Sequence, residues 1–193
     1  MRRSLGTLAA ALDRSEVRAI ARRYFVSNGF DGTLTGIGIA VGAVLSGIPD
    51  GAVVVRIGAS AAVGLCTSAV WSVWEIERAE TRAEIRRLEA AMLVDLDDTR
   101  IEDEQRAGRL VHALASGLGP LLGIVIPILP FVFEGRPLSM PAAGAASVGL
   151  GVCLLGAFGA YMGSISDQRW WVAAARMGLA GLVVAGITLV LPA

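Results

Sequence analysis

Asp31 is a single carboxylate set inside a long apolar segment. Residues 24 to 45 contain no other charged side chain. At about 1.5 Å of rise per residue, Asp31 lies roughly 10 Å beyond the start of that segment. Placing an ionised carboxylate at such a depth in a membrane costs about 2.5–3.5 kcal/mol on insertion scales. We therefore interpret Asp31 as an ion-binding carboxylate on a permeation path. The alternative is that it caps a helix broken at Gly29 or Gly32.

A second group of carboxylates lies in the only long polar segment, residues 75–109. Glu77, Glu80 and Glu84 share one face of a predicted helix at i, i+3 and i+7 spacing. Further acids follow on a second predicted helix: Asp95, Asp97, Asp98, Glu102, Asp103 and Glu104. Three carboxylates facing more acids on a returning helix suit a divalent cation that takes oxygen ligands. Helices that mix Glu with Arg are also commonly solvated and salt-bridged, so that alternative stays open.

Other kinds of chemistry find no support in the sequence. There is no phosphate-binding glycine loop ending in Lys-Ser or Lys-Thr, no serine elbow and no HExxH motif, so we expect neither an enzyme nor an ATP-driven pump. His112 is the only histidine, which excludes a multi-histidine metal site within one chain, and we interpret it as a packing or interfacial residue. The formal net charge is zero, so a nucleic-acid partner is not indicated.

The elements that carry these residues are predicted to be membrane helices. Of the 193 residues, 54% are hydrophobic and 18% are charged, against about 25% charged in soluble domains. Five segments have the roughly 20 residues that span a hydrocarbon core. They are residues 24–46, 52–74, 110–133, 141–164 and 170–191. The predicted fold is therefore an all-α integral membrane protein with five transmembrane helices and a helical extension between the second and the third.

The same pattern predicts four regions along the chain. An amphipathic helix in residues 1–23 precedes transmembrane helices 1 and 2 in residues 24–74. A charged helical segment in residues 75–109 leads to transmembrane helices 3 to 5 in residues 110–193. Arginines crowd the first and third regions but not the connections 47–51 and 134–140, which hold only Arg136. The positive-inside rule then puts the N-terminus and residues 75–109 in the cytoplasm and the C-terminus outside.

Two further patterns concern packing. Glycines four residues apart, such as Gly32 with Gly36 and Gly38 with Gly42, permit close helix approach in lipid and favour the first span as a close-packed helix. The third span contains three prolines, each of which removes a backbone donor: Pro120, Pro127 and Pro130. This predicts either a kinked helix beside a pathway or a bent packing helix.

Four stretches together resemble the vacuolar iron transporter family. The first span opens on Asn28-Gly29-Phe30-Asp31-Gly32, and a charged helix runs out of the second span. The third span contains Pro127-Ile128-Leu129-Pro130-Phe131. The last two spans contain Leu155-Gly156-Ala157-Phe158-Gly159 and the stretch from Trp170 to Thr188.

This resemblance implies a function and assigns residues to it. The family is expected to be a five-span homodimer in the lipid bilayer that exports Fe²⁺, and often Mn²⁺, from the cytosol in exchange for protons. Asp31 matches the family's pathway aspartate, and Asn28 stands in the same motif. The resemblance places metal ligands at Glu77, Glu80, Glu84 and Glu102. The second span lacks the family's methionine and acid, so Cys66 is its only candidate soft ligand.

The resemblance also implies a location, the plasma membrane of a prokaryote. The metal ion is expected as the substrate, with no permanently bound cofactor. The competing hypothesis is a non-transporting membrane scaffold or regulator whose cytoplasmic helical arm binds a partner protein. Saturable binding of a divalent metal would distinguish a transporter from that scaffold.

Overall fold

The computed structural model describes residues 13–92, 100–135 and 137–191, and this part of the chain is almost entirely helical. Its elements in order are α1 (Ser15–Leu45), α2 (Gly51–Met92), α3 (Arg100–Ile128), a 3-10 turn (Leu129–Phe133), α4 (Met140–Ile165) and α5 (Trp170–Val190). The predicted all-α class is confirmed.

Four stretches of helix within the described residues are long and apolar enough to cross a membrane. They are Gly51–Ala91, Gln105–Phe133, Met140–Ile165 and Trp170–Val190. Helix α1 has 31 residues, which is ample length. Asn28, Asp31, Thr33 and Thr35 interrupt its hydrophobic sequence. A membrane protein with several spanning helices is therefore confirmed, and a fifth span at α1 stays a prediction.

Helix α1 is continuous from end to end, which decides one alternative for Asp31. Gly29 and Gly32 both lie inside the helix and both are buried. Asp31 therefore does not cap a broken helix, and that alternative is wrong. Helix α1 begins at Ser15 and runs through residue 23. The predicted division of the chain into regions near residue 23 stays a prediction. Residues 1–12, which hold most of the predicted amphipathic helix, lie outside the described residues.

Helix α2 continues past its apolar part as the sequence predicts. The apolar part ends at Trp74, and the helix runs on through the charged residues to Met92 without a break. No Gly or Pro interrupts that charged stretch, so helix propensity favours its continuation. Asp95, Asp97 and Asp98 lie outside the described residues.

The largest interface in the described fold is that of α1 with α3, where the two backbones touch. A Cβ atom added to Gly123 would lie 2.6 Å from the carbonyl oxygen of Gly29. A Cβ atom added to Gly32 would lie 2.6 Å from the Cα atom of Pro120. Only glycine permits so close an approach at these positions. This contact fixes the register of α1 on α3 and brings Asp31 to the edge of the crossing.

The prolines of α3 are accommodated in two ways. Pro120 and Pro127 lie within the helix and are fully buried, and Pro120 packs against Gly32. At Pro130 the helix has already given way to the 3-10 turn. Helices α4 and α5 pair with one another, and both also contact α1. Among the described residues, those that line the groove beside Asp31 come from α1, α2 and α3.

Candidate cation site

Asp31 lies in a groove of about 130 Å³ where α1, α2 and α3 meet. The residues that line it are Asn28, Asp31, Leu65, Ser68, Ala69, Ser72 and Pro120. Asn28 and Asp31 are one turn apart on α1, and Ser68 and Ser72 are one turn apart on α2, so each pair shares a helix face. Four of the seven side chains carry oxygen, and none carries sulfur or imidazole nitrogen. The groove therefore offers oxygen ligands from two helices.

The carboxylate of Asp31 is exposed in the single chain and has no partner among the described residues. Its backbone carbonyl accepts a hydrogen bond from the Thr35 hydroxyl at 2.9 Å, but the carboxylate itself makes no hydrogen bond or ion pair there. An unpaired carboxylate costs free energy in an apolar setting unless water or a cation reaches it. The groove beside Asp31 provides that access.

A hydrogen-bonded relay joins the three helices at the side of the groove. The Asn28 amide nitrogen donates to the Ser116 hydroxyl oxygen at 2.7 Å. The Ser116 hydroxyl donates to the carbonyl oxygen of Ala69 at 3.0 Å. Ser116 lies on α3 and is fully buried. The relay therefore holds Asn28 of α1 against α2 through α3.

A second network lies one helical turn further along, around Glu77. The His112 Nδ1 atom is 3.1 Å from Glu77 Oε2, and the Tyr24 hydroxyl donates to Glu77 Oε1 at 3.3 Å. The His112 Nε2 atom lies 3.2 Å from the carbonyl oxygen of Val17. Both partners of His112 are acceptors, and the tautomer of the ring decides which nitrogen donates. This network ties α2 to α1 and α3 just beyond Trp74.

Electrostatics favours the ionised form of Glu77. The hydrogen-bonding contact with His112 is the main cause that lowers the pKa of the Glu77 carboxyl below its ordinary value of 4.5. Burial acts in the opposite direction, and attraction to His112 and Arg23 and the Tyr24 hydrogen bond add to the lowering. Glu77 therefore stays a charged acceptor within a largely covered site.

The structure does not bring the predicted metal residues together within the described part of the chain. Glu77 turns into the bundle, whereas Glu80 and Glu84 are exposed. The side chain of Glu102 lies outside the described residues. Among those that are described, no group of three or more His, Cys, Asp or Glu side chains could hold a metal ion. A metal site at Glu77, Glu80, Glu84 and Glu102 stays a prediction.

Cys66 lies near the groove but does not line it. Its sulfur faces Gly117 of α3, where an added Cβ atom would be 3.1 Å away. Sequence reasoning missed Ser68, Ser72 and Ser116, which do line or support the groove. The available signal was the presence of small polar side chains inside otherwise apolar spans, where each needs a hydrogen-bond partner or water.

Comparison with known proteins gives two similarities. The model of the VIT family matches residues 72–192, which include the charged part of α2 and all of α3 to α5. An uncharacterised protein of Methanocaldococcus jannaschii, MJ0645, is 24% identical over 166 residues, which cover 84% of each chain. The family match takes in more than half of the chain, including Ser116, and stops short of Asp31.

Proposed function

We propose that this chain, which belongs to the VIT family, exports a divalent transition metal of the Fe²⁺ or Mn²⁺ type from the cytosol. Family membership indicates membrane metal transport in general, and the long apolar helices make this a multi-pass membrane protein. The particular metal, the direction and the coupling are our proposals. The metal is the substrate, and no permanently bound cofactor is invoked.

The observation that carries the proposal is the unpaired Asp31 carboxylate in an oxygen-lined groove. Carboxylate, amide and hydroxyl oxygens suit hard and borderline divalent cations. A scaffold that only presents a helical arm gives no reason to keep an unpaired acid between apolar helices. The scaffold alternative is therefore not favoured.

We place the transport path at an interface between two copies of the chain. Beyond Asp31 the same face of α1 carries Thr35, Gly38 and Gly42, and a Cβ atom added to either glycine would meet nothing within 4 Å. Small residues on an open helix face allow a second helix to approach closely in lipid. A partner α1 on this face would cover the groove from the membrane side.

Proton antiport through this path supplies the driving force. Asp31 would bind the metal and protons in turn, and the exposed Glu80 and Glu84 would attract metal at the cytoplasmic mouth. In this arrangement the N-terminal end of α1 faces the cytosol and the end of α5 faces outward. The arginine distribution supports that orientation, and it fits a plasma membrane protein of a prokaryote.

Reconstitution in liposomes tests the proposal. Uptake of Fe²⁺, Mn²⁺, Co²⁺ and Zn²⁺ should be measured with and without a pH gradient, for the wild type and for Asp31→Asn. We expect metal flux that rises with an opposing proton gradient, and a loss of at least tenfold in Asp31→Asn. The loss follows because, among the described residues that line the groove, Asp31 is the charged one.

Asp167→Asn is the matched control for that variant. Asp167 is exposed in the α4–α5 connection and has a positive φ of 52°, which asparagine tolerates well. The same chemical change there should leave flux within about twofold of the wild type, on the scale of ordinary surface substitutions. Wild-type flux in Asp31→Asn, or no metal flux in folded wild type, would contradict the proposal.

A further inference from the structure

We infer that Ser116 orients the Asn28 amide so that its oxygen joins the Asp31 carboxylate in an all-oxygen cation site, with Ser68 and Ser72 across the groove. This inference rests on the proposed function and specifies the site. It assigns Ser116 as a positioning residue on a helix that itself supplies no charged ligand. It also assigns an oxygen-preferring divalent cation, of which Mn²⁺ is the example, as the ligand class.

The orientation of the amide follows from the protons available in the relay. The carbonyl oxygen of Ala69 can only accept, so the hydroxyl proton of Ser116 is committed to that bond. The Ser116 oxygen can then only accept from Asn28, at 2.7 Å. A flipped amide would place two oxygen atoms at that distance with no proton between them. The nitrogen of Asn28 therefore faces Ser116, and its Oδ1 atom is left for the groove that Asn28 lines.

The position of Ser116 makes this orientation rigid. Ser116 is fully buried, and on the next turn of α3 a Cβ atom added to Gly119 would lie 2.7 Å from the Gly29 backbone nitrogen. Helices packed this closely cannot shift to offer Ser116 another partner. An amide held in one orientation supplies its oxygen to a cation without first losing rotational freedom.

The ligands that result are of one chemical kind. Asp31 contributes a carboxylate one turn from Asn28, and Ser68 and Ser72 contribute hydroxyl oxygens from α2. The thiol of Cys66 faces Gly117 and stays out of the groove. Oxygen-only sites suit Mg²⁺, Ca²⁺ and Mn²⁺, whereas thiolate and imidazole select the softer metals.

A double-mutant cycle in Mn²⁺ binding tests the inference. Free Mn²⁺ is followed by its electron paramagnetic resonance signal during titration of the purified full chain in detergent. The proteins are the wild type, Asn28→Ala, Ser116→Ala and the double variant. We expect each single variant to weaken Mn²⁺ binding about five- to tenfold. Ser116→Ala should weaken binding by less than a further twofold when Asn28 is already alanine, because both changes remove the same ligand, the Asn28 amide oxygen.

Other results of the cycle would overturn the inference. If the losses of Mn²⁺ affinity multiply in the double variant, Ser116 acts through packing rather than through Asn28. If Ser116→Ala binds Mn²⁺ like the wild type, Ser116 does not position Asn28. Ser116→Cys, which keeps the side chain's size but accepts hydrogen bonds poorly, is a second variant in case Ser116→Ala does not fold. It should bind Mn²⁺ at least threefold more weakly than the wild type, and wild-type binding by it would also overturn the inference.

Asp31→Asn separates this inference from the proposed function. If Asp31→Asn binds Mn²⁺ as the wild type does, the groove is not the cation site and both proposals fail. If Asp31→Asn loses Mn²⁺ while the Asn28 and Ser116 losses multiply, only the role of Ser116 fails.

Discussion

At the scale of single residues, several polar side chains in the apolar helices form hydrogen bonds within the bundle. Thr33 and Thr188 return their hydroxyls to backbone carbonyls four residues earlier, and Asn28 is held by Ser116. These groups are satisfied inside the bundle, which makes them tolerable in an apolar setting. Among the described residues that line the groove, Asp31 is the charged one, and its carboxylate has no hydrogen-bond or ion-pair partner there. That contrast supports the proposed role of Asp31 as a cation ligand.

Glu77 provides a test of the polar network at this scale. Its side chain is only 15% exposed and receives contacts from His112 and Tyr24. Glu77→Gln removes the charge that both contacts favour and should destabilise the protein by about 1–3 kcal/mol. Glu80→Gln, the same change at an exposed position on the same helix, should cost less than about 0.5 kcal/mol. Thermal unfolding in detergent measures both.

The pH dependence of stability follows from the lowered pKa of Glu77. A carboxyl whose pKa is depressed by folding stabilises the folded state above its unfolded pKa, and that contribution is lost as the pH falls through the folded pKa. We therefore expect the unfolding temperature of the wild type to decrease when the pH is lowered below about 4.5. The fall should be shallower in Glu77→Gln. Parallel pH profiles for the two proteins would contradict the role given to Glu77.

At the scale of helices, the sequence shows the spacing of the glycines but not which of them face another helix. Gly32 and Gly36 face the backbone of α3, whereas Gly38 and Gly42 face nothing in the described chain. Both pairs have the same spacing in the sequence, so spacing alone does not tell an internal contact from an open face. The difference comes from the rotation of α1, which the buried Thr33 and Ile37 fix against its neighbours.

The closeness of α1 to α3 gives a prediction for Gly123. A Cβ atom there would lie 2.6 Å from one backbone oxygen and 2.8 Å from the backbone nitrogen of Thr33. Gly123→Ala should therefore destabilise the fold by about 1–3 kcal/mol through overpacking. It should also weaken Mn²⁺ binding, since the groove depends on this crossing. Thermal unfolding and Mn²⁺ titration check the two effects.

Gly149→Ala is the control for that substitution. Gly149 lies within α4, and a Cβ atom added to it would meet nothing within 4 Å. Alanine should leave stability unchanged or raise it by up to about 1 kcal/mol through helix propensity. If Gly123→Ala behaved like Gly149→Ala, the close α1–α3 crossing would be wrong.

At the scale of the whole molecule, the sequence predicted the helices but not which side chains surround Asp31. The apolar segments and the continuous α2 follow from local pattern. The Asn28–Ser116 contact joins residues 88 positions apart, and no local pattern indicates which of the many serines Asn28 meets. The Glu77 network likewise depends on tertiary packing, which turned Glu77 inward and left Glu80 and Glu84 exposed.

Whether α1 crosses the membrane is the main topological prediction. If it does, Ser15 and Ser46, which lie at opposite ends of α1, must face opposite sides. Ser15→Cys and Ser46→Cys are each tested in a background with Cys66→Ser and Cys153→Ser, in intact cells with an impermeant thiol reagent. We expect labelling of Ser46→Cys from outside, and of Ser15→Cys only after permeabilisation. Equal labelling of both would contradict a fifth span.

The most direct test of the central claim is to locate Mn²⁺ in the protein itself. Crystals or lipid-embedded particles of the wild type soaked with Mn²⁺ would reveal the ion by anomalous scattering or by difference density against a metal-free sample. The account predicts one Mn²⁺ bound by the Asp31 carboxylate and the Asn28 amide oxygen, and its loss in Asp31→Asn. Mn²⁺ bound at saturation elsewhere, with the groove beside Asp31 empty, would contradict it.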